Sequence, residues 1–361
     1  MERGENEIIM MKFLAITAFC DKGDRYRRRN LTASLVNNMK MFPEAVFCVA
    51  EQNPTGWFDT LNMDPARVHH VWVNIEGGFR KTVLLNAAIE SEPDFDTIVM
   101  VDGDVFLIPE VVEYIRDHWN DGSLVFPYSD TVYLKETDTR RLIGGQPLLP
   151  GEKDHGVNID RQTGLCNVFT RDTWSRVGHY DKDFVNWGAE DDAFLTKCRR
   201  IVGPIHRSDK PGCIAYHLFH PVVNTEDYME GNRDYLSNRV RQACIRRMSD
   251  DDLKLYVTGK AQLDDLVDKY GKMGRLEIKL DWQCTPNAFL RLNTTIYDVD
   301  RTGEMSFTKV MSAIEAEERA EYCVQFIDDI LLKIPDLNGE QMDEIMDLRK
   351  KYEGMTNAVQ S

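Results

Sequence analysis

The chain has 361 residues, 44 of them basic and 60 acidic, giving a formal net charge of -16. With 42% apolar and 29% charged residues it has the makings of a globular core, and its length suits two units or one large α/β domain with an appendage. Before Pro221 there are 25 basic and 33 acidic residues and from it onward 19 and 27, so no basic half exists to hold a polyanion or an anionic membrane. The apolar run in MERGENEIIMMKFLAITAFC follows acidic residues and precedes no small-residue cleavage site. It predicts a first strand rather than a signal peptide, with Phe13–Phe19 as the strand. Arg25–Met41 then carries Leu31, Leu35, Val36 and Met39 at helical spacing. Ala45–Ala50 and Val68–Val73 predict two more strands, Lys81–Glu90 a helix, Thr97–Val101 a continuous apolar strand, Pro109–Trp119 a helix opened by proline, and Leu124–Tyr128 a strand. Strands alternating with helices up to about His220 predict a mostly parallel sheet covered on both faces, whose ligands lie beyond the carboxyl ends of the strands. Leu142–Gly156, rich in glycine and proline, reads as a long loop.

After His220 the pattern turns helical, with Glu226–Met248, Met311–Lys333 and Met342–Tyr352 as candidate helices and a less regular, β-containing segment between Leu276 and Tyr297. No stretch approaches the ~20 apolar residues that span a bilayer, and the eight cysteines form no CxxC pair. These features lead to the expectation of a cytoplasmic chain with reduced thiols and no membrane span.

Three groups of residues carry chemistry. Asp102-Gly103-Asp104 follows the apolar strand directly, so two carboxylates sit at the sheet's ligand edge with a glycine that lets the backbone turn. Such oxygen ligands suit Mn²⁺ or Mg²⁺ holding a diphosphate, although Asp-Gly-Asp is also ordinary turn chemistry. In Asn186-Trp187-Gly188-Ala189-Glu190-Asp191-Asp192, three carboxylates open an amphipathic helix. The helix dipole alone favours acids there, but it does not account for the preceding Trp-Gly-Ala. An aromatic face beside carboxylates suits a sugar, and a carboxylate can act as general base. Last, His217 and His220 follow the apolar Cys213–Tyr216. A histidine at a strand end is more often structural than metal-bound, yet an Asp-Gly-Asp site leaves room for one further ligand.

Taken together, the run from Thr163 through Trp174, Val177–Asp181, Phe184 and NWGAEDDAF resembles the catalytic segment of galactosyltransferase-type GT-A glycosyltransferases. The likeness is to the galactosyltransferase C-terminal-domain family, of the β-1,4-galactosyltransferase and chondroitin-synthase kind. Arg29-Asn30-Leu31, Phe79-Arg80-Lys81, Leu85-Asn86 and Asp102–Asp104 are similar to that fold's nucleotide-sugar half, so the resemblance covers about Lys12 to Pro221. It implies a mixed, mostly parallel sheet flanked by helices over residues 1–222, with a mostly helical region over 223–361 for acceptor binding, packing or self-association. It implies Mn²⁺ or Mg²⁺ at Asp102, Asp104, His220 and His217, with the choice between the histidines open. Further roles come with it: Asp191 as general base beside Glu190, Trp187 against sugar and diphosphate, and Asp192 at the acceptor. Thr17, Phe19, Arg29 and Glu51 would grip the nucleoside, while Lys81 and Asn86 support the donor. The family's second glycine is replaced here by Ala189, and that methyl predicts a small change of pocket shape. The reaction implied is metal-dependent, inverting transfer of a hexose or N-acetylhexosamine from a UDP-sugar to a glycan hydroxyl. The alternatives are a hydroxymethylated nucleic-acid base as acceptor, a nucleotidyltransferase, and an inactive sugar-binding module. The first meets an unfavourable net charge, the second lacks a glycine-rich phosphate loop after the first strand, and the third would be expected to have lost a carboxylate. Asp298–Ser306 imitates a calcium loop but has Lys309 at the twelfth position, which favours a hairpin turn.

Overall fold

The computed structural model describes residues 12–146, 155–157, 163–186, 188–221, 233–270, 276–284, 289–298, 304–312, 346–347 and 349–350. By internal contacts the chain divides into two units. One comprises Met1–Asn186, Glu190–Pro221 and Leu253–Lys260; the other comprises Trp187–Ala189, Val222–Asp252 and Ala261–Ser361.

The first unit is built on β1 (Phe13–Phe19), β2 (Ala45–Glu51), β3 (Val68–Trp72) and β4 (Thr97–Val101). Helices α1 (Arg25–Met41) and α2 (Lys81–Ser91) separate them. After β5 (Val105–Phe106) and α3 (Pro109–His118) come β6 (Leu124–Phe126), β7 (Asp130–Tyr133), α4 (Glu136–Ile143) and β8 (His155–Val157). The unit continues through β9 (Cys166–Thr170), α5 (Arg171–Arg176), α6 (Glu190–Lys197), β10 (Ile205–Arg207) and β11 (Ile214–His217). Among the described residues, seven strands form the main sheet in the order β10-β6-β9-β4-β1-β2-β3. All neighbours run parallel except β9, which is antiparallel to β4 and β6. This is the mixed, mostly parallel sheet flanked by helices that the resemblance implies. β1 and β4 are apolar but for Thr17 and Thr97, as suits strands covered on both faces; Leu14, Ile16, Ile98, Val99 and Met100 are wholly buried, each worth about 1.5–3 kcal/mol.

Strand order decides where chemistry collects. The chain winds outward from β1 through β2 to β3 on one side and places β4 on the other. β1 and β4 therefore flank the switch point at which an open sheet leaves a crevice beyond its carboxyl ends. Asp102 is the first residue past β4. A smaller sheet of order β5-β11-β7-β8 adjoins this edge, with β11 antiparallel to β5 and parallel to β7.

The elements from Phe13 to Trp119 match their expected ranges within a residue or two. The loop expected over Leu142–Gly156 is corrected at both ends: Leu142 and Ile143 finish α4, and His155–Val157 pairs antiparallel with β7. Its interior, 147–154, lies outside the described residues.

In the second unit, α7 (Arg233–Arg247) packs with α9 (Leu263–Tyr270), joined at Ser249, whose amide donates to the Tyr270 hydroxyl. Between them in the chain, α8 (Asp250–Val257) crosses from this unit into the first. Strands β12 (Leu276–Cys284), β13 (Phe289–Asp298) and β14 (Glu304–Ser312) form an antiparallel meander. The segment expected to be irregular with some β content is thus regular sheet, which extends through Ser312. The helix expected to open at Met311 is corrected there, since Leu290 pairs with Met311 and Phe289 with Ser312. Tyr297 and Glu304 pair across the turn that was read as a hairpin, while 299–303 lie outside the described residues. No described helix is long and apolar enough to cross a membrane.

One buried ion pair fastens the segment that precedes the acidic helix. Lys197 is wholly buried; its Nζ donates to the His179 carbonyl at 2.7 Å and to Asp181 Oδ1 at 2.9 Å. The Tyr256 hydroxyl donates to the same carboxylate. Removing one partner strands a charge in the core, so Asp181→Ala is expected to cost about 3–5 kcal/mol in urea unfolding. The double replacement Asp181→Leu/Lys197→Met should cost less than Asp181→Ala alone, because no charge is left unpaired.

Candidate active site

Two clusters of charged side chains meet at the carboxyl edge of β4. The first forms because β5 pairs with β11: Val105 lies opposite His217, and the Leu218 amide donates to the Asp104 carbonyl at 2.8 Å. The backbone then turns at Phe219. Its carbonyl accepts from Arg29 Nη2 at 2.8 Å and from Asn30 Nδ2 at 3.0 Å, and its amide donates to Thr139 Oγ1 at 2.8 Å. With Phe219 so held, both flanking histidines face one carboxylate. His217 Nε2 lies 3.5 Å and His220 Nε2 3.3 Å from Asp104 Oδ2.

The donor set fits a divalent cation. The Pro221 carbonyl lies 3.1 Å from His220 Nδ1 and can only accept, so Nδ1 carries a proton. When the ring is neutral, the Nε2 lone pair then faces a carboxylate oxygen, and two acceptors at that distance need a positive charge between them. A second-sphere carbonyl on the distal ring nitrogen is the usual way a metal-binding imidazole is oriented. Burial opposes a charge on His220, but the hydrogen bond and charge of Asp104 raise its pKa. Burial likewise pushes the Asp104 carboxyl up, yet His217 and His220 hold it well below the usual carboxylate range. Among the described residues, Asp104, His217 and His220 bring three ligand atoms within 4.8 Å of one another. An imidazole-rich set with one carboxylate suits Mn²⁺ better than Mg²⁺.

Asp102 stands outside this set, because its side chain turns to the second cluster. There the ammonium of Lys81, first residue of α2, is shared among three carboxylates. Nζ lies 3.2 Å from Asp102 Oδ1, 3.5 Å from Glu190 Oε1 and 3.0 Å from Asp191 Oδ2. Burial works against a charged lysine, but the three carboxylates raise its pKa well above the ordinary value. For Asp191 burial is the largest cause of a raised pKa, reinforced by Glu190 and Asp102 and opposed by Lys81. Asp191 Oδ1 is buried and makes no hydrogen bond among the described residues. A carboxylate with one oxygen fixed by a lysine and the other unpartnered is equipped to accept a proton.

The loop before β9 shapes the gap between these carboxylates. Asp102 exchanges hydrogen bonds with Leu165: its amide donates to the Leu165 carbonyl at 2.9 Å, and Oδ2 accepts from the Leu165 amide at 3.1 Å. Leu165 takes a left-handed φ of 69° to do so, a conformation that costs a branched side chain energy. A Cβ on Gly164 would meet Asp191 Oδ2 at 2.8 Å, and the buried Tyr128 hydroxyl donates to the Gly164 carbonyl at 2.8 Å. Thr163 Oγ1 donates to Asp192 Oδ1 at 2.8 Å. Thr163, Gly164, Leu165 and Tyr128 were not singled out from sequence as site residues; the available signal was a glycine just before a strand, β9. Gly103 is also explained differently from expectation. Its φ is not left-handed; a Cβ there would lie 3.3 Å from Leu31 and 3.4 Å from Thr17, a tight fit against two side chains.

The remaining expected residues divide by how far protein partners occupy them. Thr17 donates to the Val101 carbonyl at 2.9 Å and so ties β1 to the end of β4. Phe19 is buried against Trp57, with ring centroids 5.5 Å apart. Arg29 is spent on Asn30 and Phe219 and stacks over Tyr26. Glu51 is wholly buried, and both of its oxygens are taken, by Asn53 on one side and by the Phe58 amide and His70 on the other. Asn86 accepts from Trp174 Nε1 and the Tyr180 amide and donates to the Tyr180 carbonyl, which makes it a clamp on the 174–180 segment. Trp187 lies outside the described residues. Ala189 has φ of 70°, so the methyl in place of glycine bears on the backbone: an L-residue there costs about 1–2 kcal/mol. Asn30, a glycosylation sequon by pattern, is wholly buried.

No protein-family model and no curated protein sequence matches the chain. Among solved structures it is similar to GalNAc-T7 with UDP, GalNAc and Mn²⁺, at 9% identity and a TM-score of 0.47, over 85% of this chain and 69% of that one. It is similar to Staphylococcus aureus TarS 1–349, at 12% identity and a TM-score of 0.46, over 95% and 92%. A third is a Drosophila β1,4-galactosyltransferase 7 mutant in complex with manganese, UDP-Gal and xylobiose, at 11% identity and a TM-score of 0.41, over 85% and 97%.

Two outcomes follow from the geometry. Gly164→Ala is expected to displace Asp191 and lower stability by about 1–3 kcal/mol, read by chemical denaturation. The second concerns His70, whose Nε2 lies 2.9 Å from Glu51 Oε2 and Nδ1 2.7 Å from Asp59 Oδ1. Burial lowers its pKa, but hydrogen bonds to Glu51 and Asp59 raise it further, for a net rise. The folded state then holds more protons than the unfolded one, so this stabilisation is complete below about pH 6.5 and is lost as pH rises through the folded value. His70→Gln should flatten that decline in stability measured from about pH 6 to pH 9.

Proposed function

We propose that the chain is a metal-dependent GT-A glycosyltransferase that moves a hexose or N-acetylhexosamine from a UDP-sugar to a glycan hydroxyl with inversion. The reading rests on one observation above all: the His217/His220/Asp104 set and the Lys81-bridged carboxylates lie at the same strand edge, one residue apart at Asp102 and Asp104. A bound Mn²⁺ on Asp104, His217 and His220 would supply Lewis-acid neutralisation of charge on the departing diphosphate. Asp191 Oδ1 takes the proton of the acceptor hydroxyl as its oxygen attacks the anomeric carbon and the bond to the diphosphate breaks. A single displacement of this kind inverts the anomeric centre, so a UDP-α-sugar gives a β-linkage. Lys81 holds Asp191 Oδ2 and Asp102 Oδ1 apart from the reacting oxygen, while Asp192, steadied by Thr163, lies beside the base for the acceptor. Residues 1–222 are assigned the reaction, and 223–361 a role in acceptor binding, packing or self-association. Glycan is preferred over a nucleic-acid acceptor because the chain's charge of -16 repels a polyanion.

The test is a UDP-release screen over common UDP-sugars with Mn²⁺. Wild type should release UDP from one or two donors, and chelation should abolish it. Asp104→Ala should lose metal and donor binding, whereas Asp191→Asn should bind donor with transfer about 10²–10⁴-fold slower. Full-rate transfer by Asp191→Asn would overturn the assignment of the base.

A further inference from the structure

A second cluster of titratable side chains lies toward the opposite edge of the main sheet, at β6 and β10, and nothing in the proposed transfer reaction uses it. α3 runs back from the site edge and ends at His118; the turn that follows carries Asp121, and the chain then enters β6. β10 pairs parallel with β6 at the sheet margin, Ile205 opposite Leu124 and His206 opposite Val125. His206 thereby comes beside the end of α3. His118 Nδ1 lies 2.6 Å from Asp121 Oδ2, and His206 Nε2 lies 3.8 Å from that same oxygen. The three ligand atoms are all within 4.8 Å of one another. Tyr114, one helical turn before His118, places its hydroxyl 2.6 Å from His206 Nε2 and its ring centroid 4.2 Å from that of His118.

We propose that His118 Nδ1, Asp121 Oδ2 and His206 Nε2 form a binding site for a divalent transition ion of the zinc class, with solvent completing the coordination. Ligand atoms at 2.0–2.2 Å from a tetrahedral zinc stand roughly 3.2–3.5 Å apart, and the observed 2.6 and 3.8 Å bracket that spacing. The adjustment is small, and the side chains have room for it, since His118, Asp121 and His206 are each about a third exposed, at 39%, 39% and 33%. Tyr114 packs against both rings, and its hydroxyl, 2.6 Å from His206 Nε2, holds that nitrogen toward the cluster when no ion is bound; the ion would displace this hydrogen bond to take the Nε2 lone pair. The bland account is a helix-end histidine paired to an i+3 aspartate. It covers His118 and Asp121 but not the approach of His206 from a strand more than eighty positions away. The ion would tie the three-residue margin strand β10, which has one neighbour in the sheet, to the end of α3. Its role is therefore to secure the sheet margin rather than to act on substrate.

Zinc titration of the full chain by calorimetry tests this, comparing wild type, His118→Ala/His206→Ala and Asp104→Ala. Because the Asp104 cluster also binds divalent ions, wild type is expected to take two equivalents and each variant one. In the histidine variant the lost site should be weakened by about 100-fold or more. Zinc should also raise the thermal midpoint of Asp104→Ala but not of a variant that combines Asp104→Ala with His206→Ala. Cobalt(II) in place of zinc should give visible bands from nitrogen ligation in Asp104→Ala. Equal zinc stoichiometry in wild type and His118→Ala/His206→Ala would overturn the proposal. So would absence of any zinc equivalent in Asp104→Ala. His118 and His206 are both part-exposed, so the folding of His118→Ala/His206→Ala is checked by its thermal midpoint in chelator, which should lie close to that of wild type.

Discussion

The acidic cluster of the candidate site depends on one ammonium group. Lys81 Nζ is the point through which Asp102, from the end of β4, meets Glu190 and Asp191, from the first turn of α6. At 3.0–3.5 Å and an effective dielectric of about 20, each contact is worth roughly 5 kcal/mol of gross attraction. Desolvation of the four groups consumes most of that. What remains is geometric: without a cation in their midst, three carboxylates could not share a partly buried gap. The arrangement is still two charges short of neutrality, and Asp104 adds a further negative charge beside it. That surplus of negative charge makes the strand edge attractive to a cation.

The rest of the fold serves to hold these groups. The switch between β1 and β4 opens the crevice, and Thr17 ties the two strands together at its floor. Leu165 accepts an unfavourable φ because its amide and carbonyl are both used to fix Asp102. Arg29, Asn30 and Thr139 together immobilise the Phe219 peptide, and through it the two histidines. Strain and buried polar groups collect where the chemistry is, as expected when a site is held rigid by its surroundings rather than by its own preferences.

The longer strands and helices from Phe13 to Phe126 were legible because their apolar residues recur at the periods of sheet and helix. Phe13–Phe19 and Thr97–Val101 are apolar but for one threonine each, and both are central strands. β5, β8 and β10 were not legible: at two or three residues each they have no period to read and exist through pairing with distant strands. The β14 segment was misread as helix from Met311, since isolated Met and Ile suit either structure and the pairing with β13 decides between them.

The amino-acid sequence by itself determined the chemical inventory: an aspartate pair after an apolar strand, a triple acid opening a helix, and two histidines three apart. It did so because such local patterns depend only on neighbours in the chain. Tertiary structure alone decided how that inventory is divided. Asp102 and Asp104, adjacent but for one glycine, turn to different clusters because one meets Lys81 and Leu165 and the other meets a strand more than a hundred positions later. Glu51, Asn86 and Arg29 carry functional groups, but the fold spends them on its own backbone and side chains. Which polar group faces a ligand and which is consumed by the protein is a matter of long-range hydrogen-bond partners, and no local pattern encodes them.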